Sequence, residues 1–414
     1  MRERKVGILS LGCPRNLVDS EHILGRLKAN GHPIVDLSKA DIGIVNTCAF
    51  IEDAKAESVD AILDLVQLKK SGKLKKVIVC GCLAERYQDK LKEEFPEVDA
   101  FVGRMELEEE PRRYGLTPCH YAYLKICEGC VNNCSFCVIP KIKSDFRSLP
   151  IKAVLKNVEE FNSQGISELN IIGQDITGYG LDLYGRLKLP ELVGKIAKKV
   201  PRIGWLRLLY LYPSRVSDDL LKIIRDEERF CKYLDLPVQH INNRILKLMN
   251  RQTKKKDILE LIDKARKIIP GVCLRTSVIV GFPSETEEEF KELACFIEDV
   301  KFERLGAFIY SREEDTRAYS FPGQIPKKLK SQRFDFIMAR QQEISKEVNQ
   351  KFMGKTLRVL IDEKQKEYYT GRSQYDAPEV DGQVYVKSAK SLKPGDFVDV
   401  RVTDILEYDL VGEV

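Results

Sequence analysis

Strand-like and helix-like segments alternate along most of this 414-residue chain, and that alternation restricts the folds open to it. In the first hundred residues, apolar runs lie at 5–11, 42–46, 76–80 and 98–102, and amphipathic stretches lie at 16–29, 53–68 and 84–95. Strands joined by helices pair in parallel, because a parallel partner needs a long crossover connection. The pattern therefore predicts an α/β class fold that opens with a doubly wound parallel domain over residues 1–115.

The alternation resumes with longer units between residues 121 and 311. Six candidate strands lie at 121–126, 168–173, 205–211, 233–237, 273–281 and 305–309, with helical stretches between them. Six such units predict a partial (β/α)6 barrel, in which functional residues lie at the carboxyl ends of the strands. A linker is expected over 106–118 and a long helix over 328–352, so this domain is expected to span residues 116–345.

The last sixty residues change character. Short β-branched runs at 356–361, 384–386 and 397–402 are separated by Gly, Pro and Asp turns. This pattern predicts a small antiparallel β-barrel over residues 346–414. Three domains suit the chain length, and a composition of 43% apolar and 32% charged residues excludes disorder as the main state.

The composition also limits the cellular location. No stretch approaches the roughly 18–20 apolar residues of a membrane span, and the apolar run near the start is too short for a signal peptide. We therefore expect a cytoplasmic protein with no membrane partner. Twelve cysteines are too few for a disulfide scaffold in a chain of this length, so clustered cysteines indicate metal binding or redox chemistry.

Cys130, Cys134 and Cys137 form the sharpest local motif, Cys-x3-Cys-x2-Cys. Three thiolates on one short loop can wrap an iron–sulfur cluster, since thiolates are the soft ligands that such clusters prefer. Three ligands leave one iron of a four-iron cluster open, as a catalytic zinc site keeps one position open. A zinc knuckle is the alternative. No fourth Cys or His stands at knuckle spacing nearby, but Cys119 and Cys127 could be recruited, although Cys127 lies close to the preceding strand.

Cys13, Cys48 and Cys82 form a second, dispersed set, each at or just past the end of one of the first three strands. The carboxyl ends of parallel strands open on one edge of a doubly wound sheet, where ligands gather. We therefore expect these cysteines to converge and to hold a second cluster. Three independent buried thiols are the alternative. Cys80 lies within its strand and is expected in the core.

The motif at residues 130–137, with Phe136 before its last cysteine, resembles the radical S-adenosylmethionine (SAM) superfamily. The resemblance implies a [4Fe–4S] cluster whose open iron is chelated by the amino and carboxylate groups of SAM. It also implies that an electron from the cluster cleaves SAM to a 5′-deoxyadenosyl radical. Cys130, Cys134 and Cys137 would then be the catalytic cysteines.

The whole chain resembles the methylthiotransferases, which combine an N-terminal auxiliary-cluster domain, a radical-SAM core and a C-terminal TRAM domain. Segments 10–21 and 371–382 resemble the RimO branch, which modifies ribosomal protein uS12, whereas segments 139–150 and 314–317 depart from the usual family motifs. The resemblance implies methylthiolation at the β-carbon of an aspartate of uS12, free or within the small ribosomal subunit. It further implies two [4Fe–4S] clusters, two SAM molecules per turnover, and a flavodoxin or ferredoxin as reductant.

Four further residues are candidates for cofactor binding. Gln174 follows an apolar strand at the position where barrel strands present polar groups, although it could simply begin a loop. Gln239 ends another strand and could meet SAM or the auxiliary cluster. Arg275 lies inside a strand, where a charge is costly unless it is paired, either with the SAM carboxylate or with a structural acid. Phe136, directly before the last cysteine of the 130–137 motif, is the fourth candidate for cofactor binding.

The target is the least constrained part of the prediction. Methylthiolation of a tRNA adenosine and a non-enzymatic RNA-binding role are the alternatives. Residues 355–414 carry nine Lys and Arg against twelve Asp and Glu, a net charge of −3, whereas a barrel that grips tRNA should be basic. We therefore expect no tRNA partner. We expect Asp376, Glu379 and Asp381 to form an acidic loop that steers towards basic uS12, with an ordinary solvated acidic face as the alternative.

Overall fold

The structure is a computed structural model that describes residues 4–109, 112–143 and 145–414. Residues 110 and 111 of the predicted linker, and residue 144, lie outside the described residues. The first domain contains strands β1 (Val6–Ser10), β2 (Ile42–Thr47), β3 (Lys76–Gly81) and β4 (Ala100–Val102), and helices α1 (Pro14–Ala29), α2 (Glu52–Lys70) and α3 (Cys82–Glu94). The strands pair in parallel in the order β1-β2-β3-β4.

Helices cover both faces of this first sheet. Leu24 of α1 packs in one cluster with Ile44 and Cys80, whereas Leu65 of α2 packs in another with Val45. Because neighbouring residues of a strand point to opposite faces, α1 and α2 lie on opposite sides of the sheet. The chain returns from α1 along the outer edge of β1, next to Val6, before it crosses to β2. The doubly wound prediction is confirmed, as is the core position of Cys80.

The central domain contains six parallel strands, and a short β-ladder stands beside them. Its strands are β5 (Tyr121–Lys125), β6 (Cys127–Glu128), β7 (Arg147–Ser148), β8 (Glu168–Ile172), β9 (Trp205–Leu208), β10 (Tyr233–Asp235), β11 (Cys273–Val280) and β12 (Arg304–Ile309). Its helices are α4 (Ile139–Ile142), α5 (Ile151–Gln164), α6 (Leu181–Tyr184), α7 (Leu189–Lys199), α8 (Asp218–Asp226), α9 (Asn243–Leu248), α10 (Lys255–Ile268) and α11 (Glu287–Val300).

The six parallel strands form a partial barrel, as predicted. Strands β5-β8-β9 and β10-β11-β12 form two three-stranded sheets, and a parallel bridge between Leu206 and Phe230 extends β9 towards the second sheet. Local signals start and stop the helices: Thr286 and Glu289 form a capping box at the start of α11, and Gly165 ends α5 with a φ of 75°. The antiparallel pair β6–β7 was not anticipated.

Helix α12 (Lys327–Asn349) packs against β12 and leads to the terminal barrel. The barrel strands are β13 (Thr356–Lys364), β14 (Tyr369–Ser373), β15 (Val384–Lys387), β16 (Phe397–Ile405) and β17 (Leu410–Glu413). They close in the order β13-β14-β15-β17-β16. The structure differs from the prediction in two respects: β14 and β17 were not predicted, and β15 pairs with β17 in parallel whereas the other pairs are antiparallel.

The flanking domains occupy opposite ends of the central barrel. The terminal barrel meets the amino ends of the strands, where the hydroxyl of Ser167 donates to the carbonyl of Gly395 over 2.8 Å. The first domain meets the carboxyl ends, where Arg15 donates to the carbonyl of Gly173 over 3.1 Å. The carboxyl end of the barrel therefore faces the edge of the sheet that carries Cys13, Cys48 and Cys82. Among the described residues, no helix combines the length and apolarity needed to cross a membrane.

Candidate functional site between the two cysteine sets

The structure brings Cys13, Cys48 and Cys82 together at the carboxyl edge of the first sheet. Cys13 precedes α1, Cys48 follows β2, and Cys82 is the first residue of α3. Burial raises the pKa of the Cys82 thiol to about 12, and negative charge on the nearby Cys48 and Cys13 adds to that rise. The predicted convergence is thus seen, and we call these three residues the auxiliary triad.

The backbone beside the auxiliary triad is tightly packed, and the missing side chain of Gly12 leaves the space that Cys48 occupies. Gly12 adopts a φ of +84°, and a Cβ there would lie 2.7 Å from Cβ and 2.9 Å from Sγ of Cys48. The side-chain amide of Asn16 donates to the carbonyls of Leu11, at 3.0 Å, and Thr47, at 2.8 Å, so it ties the ends of β1 and β2 together. A glycine is required at residue 12 because a side chain would displace Cys48.

Cys130, Cys134 and Cys137 lie on the loop between β6 and α4, and we call them the SAM triad. Burial raises the pKa of Cys130 to about 11 and that of Cys137 to about 12, with further contributions from the neighbouring thiolates. The backbone and side-chain N–H groups of Asn132 donate to Sγ of Cys130 over 3.4 and 3.3 Å. The loop therefore holds its thiols close together and offers donors to a thiolate.

The other cysteines near the SAM triad are placed differently. Cys127 is fully buried in β6, with its Sγ 3.7 Å from the carbonyl oxygen of Asp175, and Cys119 is exposed. Within the described residues, no group of three His, Cys, Asp or Glu side chains is arranged to hold a single metal ion.

Cys13 differs electrostatically from the other thiols of the site. Burial raises its pKa, but Arg15 and the backbone N–H of Asn16 outweigh that effect, so the pKa of Cys13 lies below its ordinary value. Nε of Arg15 lies 3.2 Å from Sγ of Cys13. This arrangement stabilises a thiolate at residue 13.

The polar groups after β8 face the SAM triad. Asp175 accepts hydrogen bonds from Asn132, at 2.7 Å, and from Arg215. Nε2 of Gln174 donates to Glu128 over 3.0 Å, and its buried Oε1 has no partner among the described residues. An unpartnered buried acceptor is costly, which fits a ligand-binding role for Gln174.

Phe136 and Gln239 also lie at the carboxyl end of the barrel. Phe136 packs against an apolar cluster that includes Ile279 and Phe282. Gln239 adopts a φ of +69°, and its backbone bonds to Ser277 and Ile279 hold it against β11. Its side-chain amide has no hydrogen-bond partner in the part of the chain that the structure describes. Backbone strain of this kind is common at ligand sites.

Sequence reasoning missed a buried group of four charges where the first domain meets the barrel. Lys125 bridges Asp19 and Glu128, and Lys143 bridges the same two carboxylates at 3.2 and 3.0 Å. All four side chains are buried, and we call the group the ionic square. Lys143 also offsets part of the burial effect on the pKa of Cys82. The sequence signal was weak, because the four residues lie in three separate segments and no local pattern relates them.

Of the two kinds of partner predicted for Arg275, the SAM carboxylate and a structural acid, the structure shows the structural acid. Its guanidinium lies 3.2 Å from carboxylate oxygens of both Asp235 and Asp381. These contacts compensate its buried charge, so the reason for expecting a SAM contact at Arg275 falls away.

The prediction of an exposed acidic loop was wrong for two of its three residues. Asp376 pairs with Arg304, and Asp381 accepts from the hydroxyl of Tyr233 over 2.6 Å; both carboxylates are buried. Only Glu379 is exposed. The acids are drawn into the amino end of the central barrel because buried arginines there need counter-charges.

Comparisons with known proteins agree with this architecture. The uncharacterized protein family UPF0004 matches residues 5–103, the radical SAM superfamily matches residues 124–297, and the TRAM domain matches residues 353–414. Among solved structures, the radical SAM methyltransferase TsrM from Kitasatospora setae gives a TM-score of 0.55 at 14% identity, covering 76% of this chain and 74% of that one. At such identity the likeness concerns the fold alone.

Curated relatives match over nearly the whole length. The ribosomal protein uS12 methylthiotransferase RimO of Clostridioides difficile is 46% identical, covering 99% of this chain and 98% of that protein. The proteins of the same name from Caldanaerobacter subterraneus and Parabacteroides distasonis are 47% and 42% identical, over 99% and 100% of this chain and 100% of each relative. On this evidence the chain belongs to the RimO family of radical-SAM methylthiotransferases.

Proposed function

We propose that this protein attaches a methylthio group to the β-carbon of an aspartate in ribosomal protein uS12. The observation that carries the proposal is the placement of two cysteine triads on either side of one domain interface. The SAM triad lies at the catalytic end of the barrel, and Arg15 joins the auxiliary triad to that end through Gly173. The full-length relatives named for this activity support the same conclusion.

The donor set suits two [4Fe–4S] clusters. Each triad offers three thiols from one small region, and thiolate is the ligand such clusters prefer. When bound, the clusters supply the electron that cleaves SAM and carry the sulfur that is transferred. The SAM triad would hold one cluster and the auxiliary triad the other, and three thiolates per cluster would leave an iron free to bind SAM or sulfur.

The protein's own residues position and enclose the reactants. We propose that the free Oε1 of Gln174, the side chain of Gln239 and the ring of Phe136 contact SAM. Asp175, held by Asn132 and Arg215, keeps the SAM-triad loop in place. The ionic square lies between the two domains and excludes water from that side of the site.

The remaining partners follow from the chemistry. The reaction consumes electrons, so an external one-electron donor is needed, and we propose a flavodoxin or ferredoxin. We also propose that the enzyme acts in the cytoplasm, as a ribosomal substrate implies, and that it has no membrane or tRNA partner. We further propose functional boundaries at residues 1–115, 116–345 and 346–414.

Mass spectrometry of ribosomal proteins and tRNA from cells with and without the gene tests the function directly. We expect uS12 to gain the mass of one methylthio group, on an aspartate, only when the protein is present. A methylthio group on a tRNA adenosine, with none on uS12, would show that the target is wrong.

A further inference from the structure

Two arginines of the site lack the carboxylate partner that comparable arginines have. Among the described residues, the arginines that are buried or half-buried form salt bridges with carboxylates, except for Arg15 and Arg251. Arg15 lies beside Cys13 of the auxiliary triad, and Nη1 of Arg251 lies 3.8 Å from Sγ of Cys134 in the SAM triad. One guanidinium without a carboxylate partner therefore stands next to each triad.

The geometry of Arg15 leaves one edge of its guanidinium free. Nε donates to Sγ of Cys13 over 3.2 Å, and Nη1 donates to the carbonyl of Gly173 over 3.1 Å. The ring of Tyr210 supports the guanidinium from one face, 4.3 Å from its central carbon. No described residue accepts a hydrogen bond from Nη2. The group is thus held in place with one donor to spare.

Among the described residues, no carboxylate forms a salt bridge with Arg15, although Glu128 is close enough to raise its pKa. The nearby carboxylates of Asp19 and Glu128 are shared between Lys125 and Lys143 in the ionic square. The sulfur of Cys13 occupies one donor of Arg15, but Nη2 remains free, and guanidinium binds carboxylate more strongly than it binds neutral acceptors. The environment of Arg15 is therefore suited to an anionic group supplied by a ligand.

We propose that Arg15 binds the side-chain carboxylate of the target aspartate and so determines that an acidic residue is modified. This inference rests on the proposed function. The β-carbon of aspartate is bonded directly to its carboxylate carbon, so a carboxylate held at Arg15 places that carbon beside the auxiliary triad. SAM also carries a carboxylate, and the charge of Arg15 reaches Cys137 of the SAM triad as well. The side-chain hydrogen bond of Arg15 is nevertheless to Cys13 of the auxiliary triad, whereas Arg251 stands beside Cys134.

Binding measurements with the anaerobic holoenzyme, in the absence of reductant, test the proposal without turnover. The ligands are full-length uS12 and uS12 in which the target aspartate is changed to asparagine. We expect the wild-type enzyme to bind the aspartate form about 10- to 100-fold more tightly, the range of a charge-assisted hydrogen bond. Arg15→Gln should bring that ratio close to one. Arg15→Lys, which keeps the charge but not the planar fork, should give an intermediate ratio.

Arg251→Gln is the matched control, because Arg251 is also an unpaired arginine, 4.0 Å from the ring centroid of Tyr212. It should keep the wild-type ratio of affinities. The proposal is overturned if Arg15→Gln keeps that ratio, or if the wild-type enzyme binds both forms of uS12 equally. A loss of SAM affinity in Arg15→Gln with the uS12 ratio unchanged would overturn it in favour of the SAM carboxylate.

Two comparisons keep the test decisive. If Arg15→Gln does not assemble its clusters, the ratio measured with the wild-type enzyme and with Arg15→Lys still decides the question. Failure of the proposed function looks different: the wild-type enzyme would then neither bind nor methylthiolate uS12. An enzyme that methylthiolates uS12 but does not distinguish the two forms in binding contradicts the role of Arg15 alone.

Discussion

The two ends of the central barrel both bury charged side chains, but they balance those charges differently. At the amino end, Glu168 pairs with both Arg207 and Arg372, and the terminal barrel supplies part of the network. At the carboxyl end the ionic square is balanced, whereas Arg15 and Arg251 have no carboxylate among the described residues. At the first end each buried arginine has a carboxylate partner, whereas the second end has bonding capacity left for a ligand.

This difference separates stability from function within one barrel. A buried pair is strongly destabilising to break, because the remaining partner becomes an uncompensated charge. A buried charge that has no partner in the folded chain lowers stability and is kept where a ligand completes it. Substitutions at the amino end should therefore mainly lower the free energy of unfolding, and substitutions at the carboxyl end should mainly impair the reaction.

The largest effect is expected at the carboxyl end. Cys48→Ala should abolish methylthiolated uS12 while SAM cleavage to 5′-deoxyadenosine continues, because the two triads lie in different domains. Product mass spectrometry and chromatography of 5′-deoxyadenosine measure the two activities. Cys80→Ala is the control: Cys80 is a buried core thiol of the same sheet and its loss should leave the product in place. Persistent methylthiolation by Cys48→Ala would contradict the auxiliary role.

At the amino end, Glu168→Gln should lower the free energy of unfolding by about 3–5 kcal/mol. The substitution leaves Arg207 without its carboxylate, while Arg372 keeps Asp362. Anaerobic urea unfolding of wild-type and variant protein gives the difference. Glu159→Gln removes an exposed pair with Lys199 and should cost less than about 1 kcal/mol. Equal losses in the two variants would mean that burial does not set the strength of these pairs.

A smaller loss, about 1–3 kcal/mol, is expected for Asp381→Asn. Arg275 keeps Asp235 in this variant, and asparagine can still accept from the hydroxyl of Tyr233. The same unfolding experiment applies, and uS12 binding should stay unchanged because the residue is buried between domains. Weaker uS12 binding at unchanged stability would restore the docking role first expected of this loop.

The smallest effect is expected for Glu379→Gln. Its exposed carboxylate accepts one hydrogen bond, 2.9 Å from the hydroxyl of Tyr121, and the amide oxygen of glutamine can take its place. Unfolding free energy should fall by no more than about 1 kcal/mol. A loss as large as that of Glu168→Gln would show that exposed and buried contacts at this end are equivalent.

Different parts of the molecule were predictable for different reasons. The convergence of the six cysteines into two triads could be predicted because one triad is a contiguous motif and the other follows the rule that parallel strands end at one edge. The strands β14 and β17, and the parallel pairing of β15 with β17, were missed because short strands carry little periodic signal. The acidic loop was misjudged because a count of charges does not show which are buried.

By itself, the sequence determined the α/β architecture and the thiols of the site, because periodicity and motif spacing are local properties of the chain. Tertiary structure alone decided which charges are compensated. Glu168 and Arg372 are 204 residues apart in the sequence, and no local pattern relates them. Arg15 looks like any other arginine in the sequence. Only the packing of three domains leaves it beside a triad without a carboxylate, since a charge pair depends on distance in space and not along the chain.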